Sequence, residues 1–359
     1  MVVGLKIMTA KIPVGILGAT GTVGQRFIQL LEDHPWFEVA WLAASERSSG
    51  QSYRNAARWR LASEIPARIA DMKVSSSAPE GAPTLIFAAL DAALATELEP
   101  RFAEAGHAVI TNSSAFRMHE DVPLVIPEIN DDHLALIEQQ SWSKAKKNGG
   151  FIVTNSNCSI MGLAIALAPL ADAFGIEKVF AVTMQAISGA GYPGVASLDI
   201  LGNVIPYIAK EEEKMEAEAK KLLGKYMNGK LQMADFAISA QCNRVAVEDG
   251  HTESVSVKLR NPAKPEEIIA AWRSFKSKIA SLALPSAPKE FIHYDEALDR
   301  PQPRLDIHRG KGMTTSIGRL RRCSVLDWKF TVLSHNTVRG AAGAAVLNAE
   351  LLKVKGYLR

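Results

Sequence analysis

Three cysteines in 359 residues, Cys158, Cys242 and Cys323, are too few and too scattered to brace a fold. An odd number cannot all pair within one chain, and no Cys-x-x-Cys or Cys/His cluster offers a zinc site. A disulfide scaffold and a bound metal therefore both drop out, and a reducing, cytoplasmic setting is expected. Charge of one sign is also scarce. The 41 Lys and Arg against 38 Asp and Glu leave a formal net charge of +3, too small to point to a nucleic-acid partner. No apolar run is long enough to span a bilayer: the most apolar stretch, 160–174, is short and carries Pro169 and Asp172. Residues 1–13 lack the apolar centre of a secretion signal, so a soluble protein is expected. No repeat or extended low-complexity tract appears. What remains is an ordinary globular composition, 47% hydrophobic and 22% charged, in a chain long enough for two sizeable cores.

The first half alternates short apolar runs with helical periodicity, the pattern of a parallel sheet with crossover helices. Strands are expected at 14–17, 38–44, 85–89, 107–112, 124–126 and 151–154. Helices are expected at 23–32, 92–105 and 131–142, the last capped by Asp131 or Asp132. Residues 75–83 read as a surface loop. Beyond Cys158 the pattern changes to an apolar helix at 159–173, an amphipathic helix at 210–223, and strand-like runs at 179–187, 236–247, 252–259 and 324–333. Long strands with few crossovers predict a mixed or antiparallel second sheet. The Ala-rich helical stretch 337–354 is expected to pack back on the first domain. The fold class is α/β, divided into residues 1–157 plus 337–359 and residues 158–336.

Gly18-Ala19-Thr20-Gly21-Thr22-Val23-Gly24 separates the first strand from its helix. Such glycines let the chain turn sharply, so that a pyrophosphate can approach the amides of a helix N-terminus. The spacing is a variant of the commoner fingerprint and also fits a plain strand-to-helix turn. NAD sites usually place an acid at the end of the second strand, for the ribose hydroxyls. Here Ser45-Glu46-Arg47-Ser48 puts an arginine among hydroxyls, which suits a 2′-phosphate. NADP(H) is the expected cofactor, while Glu46 keeps NAD open and a solvated loop is the plain alternative. Gly18, Thr20, Gly21, Thr22, Val23, Ser45, Arg47 and Ser48 are the candidate contacts.

Cys158 follows Asn155-Ser156-Asn157 where a strand gives way to a helix. Free amides and the dipole at a helix N-terminus favour a thiolate. A buried structural cysteine is the plain alternative, but three polar residues precede Cys158 where one cap would do. A sulfur nucleophile needs a proton-transfer partner. Of eight histidines, His251 in Asp249-Gly250-His251-Thr252 stands at a turn between two strands, where a side chain can be aimed into a cleft.

These motifs join others in order along the chain: Gln185-x-x-Ser188-Gly189-Ala190-Gly191, Glu211-Glu212-Glu213-Lys214, and Arg244 separated from His251 by six residues. Together they resemble the aspartate-β-semialdehyde dehydrogenases over nearly the whole chain, in the pattern of the archaeal and fungal branch. The resemblance implies an architecture similar to glyceraldehyde-3-phosphate dehydrogenase. That means a Rossmann-like NADP-binding domain, an α+β catalytic and dimerisation domain with a mixed sheet, and self-association as a homodimer or homotetramer. It implies NADPH-dependent conversion of β-aspartyl phosphate to aspartate-β-semialdehyde in amino-acid biosynthesis. Cys158 would be the nucleophile, His251 the acid/base catalyst, and Gln185 the group orienting the acyl-enzyme. Arg244 would clamp the substrate carboxylate, a task suited to a guanidinium fork. Glu211 would meet the substrate amino group, although Glu212 and Glu213 compete for the role. Lys214, Arg117 and Asn157 would take the phosphate, and Ser188, Gly189 and Asn336 the cofactor. The charge-rich helix that carries Glu211 and Lys214 is otherwise an ordinary solvated face. A malonyl-CoA reductase shares scaffold and nucleophile but needs no amino-group partner. N-acetylglutamyl-phosphate reductase is a more distant relative with a different cysteine context. A non-catalytic NADP-binding sensor would tolerate loss of Cys158 and His251.

Overall fold

The apolar runs of the first half form short parallel strands in the computed structural model, which describes residues 10–144 and 149–358. They are β1 (Ile12–Leu17), β2 (Phe37–Ala43), β3 (Val74–Ser75), β4 (Leu85–Ala88), β5 (Ala108–Thr111) and β6 (Phe151–Thr154). Their order in the sheet is β3-β2-β1-β4-β5-β6, with every neighbour parallel. The strands β4, β5 and β6 are buried along their whole length, which is why they read as continuous apolar runs. Strand order reverses between β1 and β4, and open α/β sheets take ligands in the crevice beyond such a point. Helix α1 (Thr22–Leu31) follows β1, and α2 (Ala92–Glu104) follows β4 with Asp91 capping the Leu94 amide.

The second half builds a different sheet. Its strands are β7 (Ile176–Gln185), β10 (Ala237–Arg244), β11 (His251–Leu259), β12 (Ile292–Asp295), β13 (Thr315–Arg322) and β14 (Trp328–Ser334), while β8 (Lys225–Met227) and β9 (Lys230–Gln232) form a separate hairpin. The order β10-β7-β11-β14-β13-β12 mixes parallel and antiparallel pairs, as the long strand-like runs predict. Alternate residues of β7 (Val179, Ala181, Thr183, Gln185) are buried, and Phe180 lies on the opposite, more open face. Helix α3 (Cys158–Phe174) packs under this sheet and is buried from Ser159 to Leu170, as an all-apolar helix must be. Helix α4 (Glu211–Leu222) flanks it, and α5 (Pro265–Arg273) is pinned to it by the Trp272 indole N–H, which donates to the Ala166 carbonyl at 2.9 Å.

The end of the chain returns to the first sheet. Helix α6 (Gly343–Val354) puts Ala345, Val346, Leu347 and Leu351 into the same core as Val14, Phe27 and Ile110. A buried contact between His34 Nε2 and Glu350 Oε1 at 2.7 Å ties it down further.

Three expectations need correction. Residues 124–126 form no strand but a single bridge, Leu124 to Thr154. The expected helix at 131–142 is a 3₁₀ helix, Asp131–Gln139, followed by a short turn of helix, Ser141–Lys144. Its buried pairs, His133 with Leu136 and Leu134 with Ile137, are spaced by three, which suits a three-residue turn. Neither Asp131 nor Asp132 caps it, because both carboxylates reach instead to lysines, Lys278 and Lys355. The run at 324–333 becomes strand only at Trp328, and β13 before it was not expected at all. Among the described residues no helix is long and apolar enough to cross a membrane.

Candidate active site

Sheet topology brings the candidate residues to one place. Parallel β7 and β10 end side by side at Gln185 and Arg244, and antiparallel β11 begins at the same end with His251, opposite Ser334 of β14. Helix α3 starts there with Cys158, straight after β6. Its Sγ lies 3.2 Å from His251 Nε2, across 93 residues of sequence. His251 is thus the first residue of a strand, aimed by the turn before it. The Gly250 amide in that turn donates to Asn336 Oδ1 at 2.8 Å.

Two residues of the polar run before Cys158, Asn155 and Asn157, have distinct tasks. Asn155 donates to Asn112 Oδ1 at 2.9 Å and to the Ala341 carbonyl at 3.2 Å, tying β6 to the C-terminal segment. The Asn157 side chain caps α3 by accepting from the Ser159 and Ile160 amides at 2.8 and 3.3 Å. Its Nδ2 donates to Glu211 Oε1 at 2.9 Å, and its backbone N–H donates to Glu218 Oε2 at 2.6 Å.

Helix α4 presents one charged face to the site. Glu211, Lys214, Glu218 and Lys221 recur at helical spacing, and all but the half-buried Lys214 are buried. Among the three competing glutamates, Glu211 turns inward, accepting also from Gln185 Nε2 at 3.1 Å. Glu212 accepts from the Cys242 amide instead, and Glu213 is exposed. Lys214 Nζ is 4.0 Å from Glu211 Oε2. Sequence reasoning missed Glu218 and Lys221, although the signal was present, since both continue the stripe begun by Glu211 and Lys214. Glu218 joins Arg117 Nη1, at 2.9 Å, to the start of α3. Lys221 donates to the carbonyls of Arg117, His119 and Val122 at 2.7, 2.7 and 2.8 Å, and burial brings it down to about 8. Arg117 donates its Nη2 to the Asn112 carbonyl at 2.7 Å, while its buried Nε has no partner. Arg244 Nη1 donates to the Ala186 carbonyl at 2.7 Å. A Cβ at residue 189 would stand 2.9 Å from Arg244 Nη1 and 3.2 Å from His251 Nε2, so Gly189 keeps the space beside both groups open.

The protonation states differ from the expectation of a ready thiolate. Burial, helped by Glu211 and opposed by Arg117 and Arg244, pushes the Cys158 thiol up to about 12. Burial, with Arg244 and His335, brings His251 down to about 3. The resting pair is a thiol beside a neutral imidazole. The start of one helix, its Ser159 and Ile160 amides already taken by Asn157, does not offset the removal of water from around the sulfur. Cys158 keeps a partial opening to solvent, by which a substrate reaches it.

A cavity of about 890 Å³ adjoins the glycine loop, and Thr20, Gly21, Thr22, Val23, Arg47 and Ser48 line it. Gly21 holds the N-cap position of α1 without a side-chain cap, so the first amides of that helix are open to a ligand. Gly18, at φ +84, makes the turn, and a Cβ there would be 2.5 Å from the Ala89 carbonyl oxygen. Gly18 and Ser45 are not in the cavity wall. Two cations that the sequence reading did not single out are: Arg58, and Arg60, whose guanidinium stacks 4.1 Å over the Tyr192 ring. Open helix amides and three arginines against one acid, Asp91, fit a dinucleotide with an extra phosphate. Ser188 and Asn336 line the turn before His251. Ser188 Oγ donates to Asp249 Oδ1 at 2.7 Å and accepts from Asn336 Nδ2 at 2.8 Å. Among the described residues no group of His, Cys, Asp and Glu is arranged to hold a metal.

Residues 13–137 match the NAD binding domain of semialdehyde dehydrogenases, and residues 167–339 match their dimerisation domain. The chain is 50% identical over 343 residues to the aspartate-semialdehyde dehydrogenase of Archaeoglobus fulgidus, covering 94% of this chain and 97% of that one. It is 46% identical over 360 residues to the enzyme of the same name from Candida albicans, covering 96% and 98%. The crystal structure of the Candida albicans aspartate semialdehyde dehydrogenase with NADP matches with a TM-score of 0.89 at 44% identity, over 97% of this chain and all (100%) of that one. A Vibrio cholerae aspartate semialdehyde dehydrogenase II complexed with ASA matches at a TM-score of 0.76 and 27% identity, over 98% and 100%. On sequence, fold and the motifs gathered around Cys158, this chain belongs to the aspartate-semialdehyde dehydrogenase family.

Proposed function

We propose that this chain reduces β-aspartyl phosphate to aspartate-β-semialdehyde with NADPH, through a thioester on Cys158. The observation that carries this reading is the Cys158 sulfur, 3.2 Å from His251 and ringed by Arg244, Glu211 and Arg117. Each charge answers one group of the substrate. The Arg244 guanidinium suits the α-carboxylate, and the inward Glu211 suits the amino group. The unpartnered Nε of Arg117, with Lys214 and Asn157, suits the phosphate. Sulfur attacks the acyl carbon and phosphate leaves. When bound, NADPH supplies the hydride that reduces the resulting thioester. Thr20–Val23, Arg47 and Ser48 would hold that cofactor, with Ser188, Gly189 and Asn336 at its reactive end.

The substrate also changes the sulfur it meets. Glu211 is among the groups that hold the Cys158 thiol up. An ammonium group against Glu211 cancels that charge and brings the thiol down. Malonyl-CoA has no ammonium group, so the buried Glu211 favours the amino-acid substrate. Assaying both acyl donors with NADPH tests this: turnover of malonyl-CoA without turnover of β-aspartyl phosphate would sink the reading. Cys158→Ser should keep NADPH binding and lose nearly all turnover. A variant that kept the wild-type rate would leave a non-catalytic sensor as the better account.

We propose the division into residues 1–157 plus 337–359 and residues 158–336, supported by α6 sharing the core of the first sheet. Self-association is expected through the dimerisation domain, as a homodimer or homotetramer, and light scattering distinguishes them. A free thiol nucleophile supports a reducing, cytoplasmic location.

A further inference from the structure

We infer that Arg60 contacts the diphosphate of the dinucleotide, and that Gln25 and Tyr192 are positioning residues that hold it beside the glycine loop. The inference deepens the reading of NADPH as cofactor and rests on it. It starts from a contrast among the arginines between β2 and β3. Arg54 and Arg68 are paired, with Asp71 at 2.8 Å and with Glu38 at 3.0 Å. Arg58 and Arg60 lie between them in sequence and line the cavity beside the glycine loop. Among the described residues no carboxylate forms an ion pair with either. An unpaired guanidinium at a cavity wall is available to an anionic ligand.

Two further contacts fix where Arg60 stands. Gln25, buried on α1, donates from Nε2 to the Thr20 carbonyl at 3.0 Å and to the Arg58 carbonyl at 2.9 Å. Its Oε1 accepts from the Arg60 amide at 2.8 Å. One side chain thus ties the main chain at 58–60 to the loop whose helix amides suit a diphosphate. The Arg60 guanidinium then stacks 4.1 Å from the centroid of the Tyr192 ring. Tyr192 comes from the second half of the chain, where Gly191, at φ +70, turns out of the 3₁₀ helix Ile187–Ala190. Such stacking engages the flat face of a guanidinium and leaves the N–H groups at its edges free to donate.

These placements give Arg60 and Arg47 different phosphates. Arg47 follows β2 and stands between Ser45 and Ser48, the hydroxyls expected at the 2′-phosphate. Arg60 is tied through Gln25 to Thr20, and so to the diphosphate that NADP(H) and NAD(H) share. The α1 amides would take that group from one side and the guanidinium from the other. The stack on Tyr192 holds a long side chain in place beforehand, so less of its freedom is lost when the cofactor arrives. It also joins the two halves of the chain across the cavity, since both residues line it.

The test is NADPH binding to the full-length protein, read by fluorescence titration without turnover. Arg60 and Tyr192 are exposed, so substitutions there leave the core intact. Arg60→Met should raise the NADPH dissociation constant about tenfold or more, the loss of one charge-assisted hydrogen-bond donor. Tyr192→Leu should raise it about 2–10-fold, and Tyr192→Phe, which keeps the ring, should bind as wild type does. In the Arg60→Met background Tyr192→Leu should add nothing, because the ring acts through the guanidinium. Unchanged NADPH binding in Arg60→Met, or the same effect of Tyr192→Leu with and without Arg60, would overturn the inference. Adenosine 2′-monophosphate, which carries no diphosphate, locates the contact. Its affinity, measured by ligand-observed NMR, should be the same in Arg60→Met as in wild type. A fall parallel to that of NADPH would put Arg60 at the 2′-phosphate and refute the assignment. Failure of the wild-type protein to bind NADPH would instead sink the underlying reading of the cofactor.

Discussion

Replacing Gly340 by alanine sets two physical effects against each other at the nucleophile. Gly340 lies in the π-helical turn Val338–Ala342, where intrinsic preference alone favours alanine over glycine by about 0.5–1 kcal/mol. A Cβ at that position, however, would lie 2.7 Å from the Cβ of Cys158, 2.9 Å from its Cα and 3.1 Å from its carbonyl oxygen. The closest of these is about 0.8 Å short of an ordinary carbon–carbon contact. The atoms met are the backbone and first side-chain carbon of a residue starting a buried helix, not the tip of a flexible side chain. Overpacking of this kind costs about 1–3 kcal/mol, so it exceeds the gain in helix preference. Relief requires the start of α3 to shift, which carries the sulfur away from His251, and a displacement near 1 Å costs on the order of 10²-fold in rate. Gly340→Ala should therefore lower the melting temperature and reduce kcat by about 10–100-fold. NADPH affinity, measured by fluorescence titration, should stay close to wild type, because the glycine loop lies elsewhere. A variant with raised stability and unchanged kcat would refute the argument, since preference would then have won over packing.

Three further outcomes follow from the charged groups. Glu211→Gln removes a negative charge that raises the Cys158 thiol, so iodoacetamide should label Cys158 faster at neutral pH while turnover of β-aspartyl phosphate falls. Slower labelling would contradict the assigned sign. Glu218→Ala leaves Arg117 buried without its carboxylate and frees the Asn157 amide, and should cost about 3–5 kcal/mol in denaturant unfolding. A loss under about 1 kcal/mol would mean that the pair is exposed to water in solution. Burial raises the Asp306 carboxyl, but Arg300, the Gln302 amide and Arg309 together bring it down to about 2. Its folded value is thus depressed. Its contribution, about 1–2 kcal/mol after allowance for screening, is fully present above the unfolded value and is lost as pH falls through about 2. The stability gap between wild type and Asp306→Asn should shrink as pH is lowered from neutral through that range. A gap independent of pH would remove the ion pair as its cause.

Local features of the sequence were legible because they are written in short spacing. The apolar runs of β4 to β6, the glycine loop and the apolar helix after Cys158 each depend on neighbours within a few residues. The face of α4 was half legible. Glu211 and Lys214 were singled out, but Glu218 and Lys221 lay in a charge-rich stretch that reads as solvated until Arg117 is known to lie against it. β13 escaped because its outer residues, Arg319, Arg321 and Arg322, dilute the apolar alternation, and its register shifts between Gly318 and Arg321. Two aspects of the site were not legible at all. The thiol's resting protonation depends on how completely water is removed, which no motif encodes. The contact of Gly340 with Cys158 joins residues 182 positions apart, and nothing in the local pattern of either announces the other.

That contact bears on when the site exists during synthesis. Cys158, its cap and the strand before it are made early, but the wall against which Cys158 rests is made by residues 338–342, and Asn155 is held by Ala341 and Asn348. A chain emerging from the ribosome carries the nucleophile without the surface that aims it until residues 338–342 have followed. The sulfur meets its finished surroundings only once residues 338–348 have left the tunnel. Until then the growing polypeptide holds an ordinary thiol.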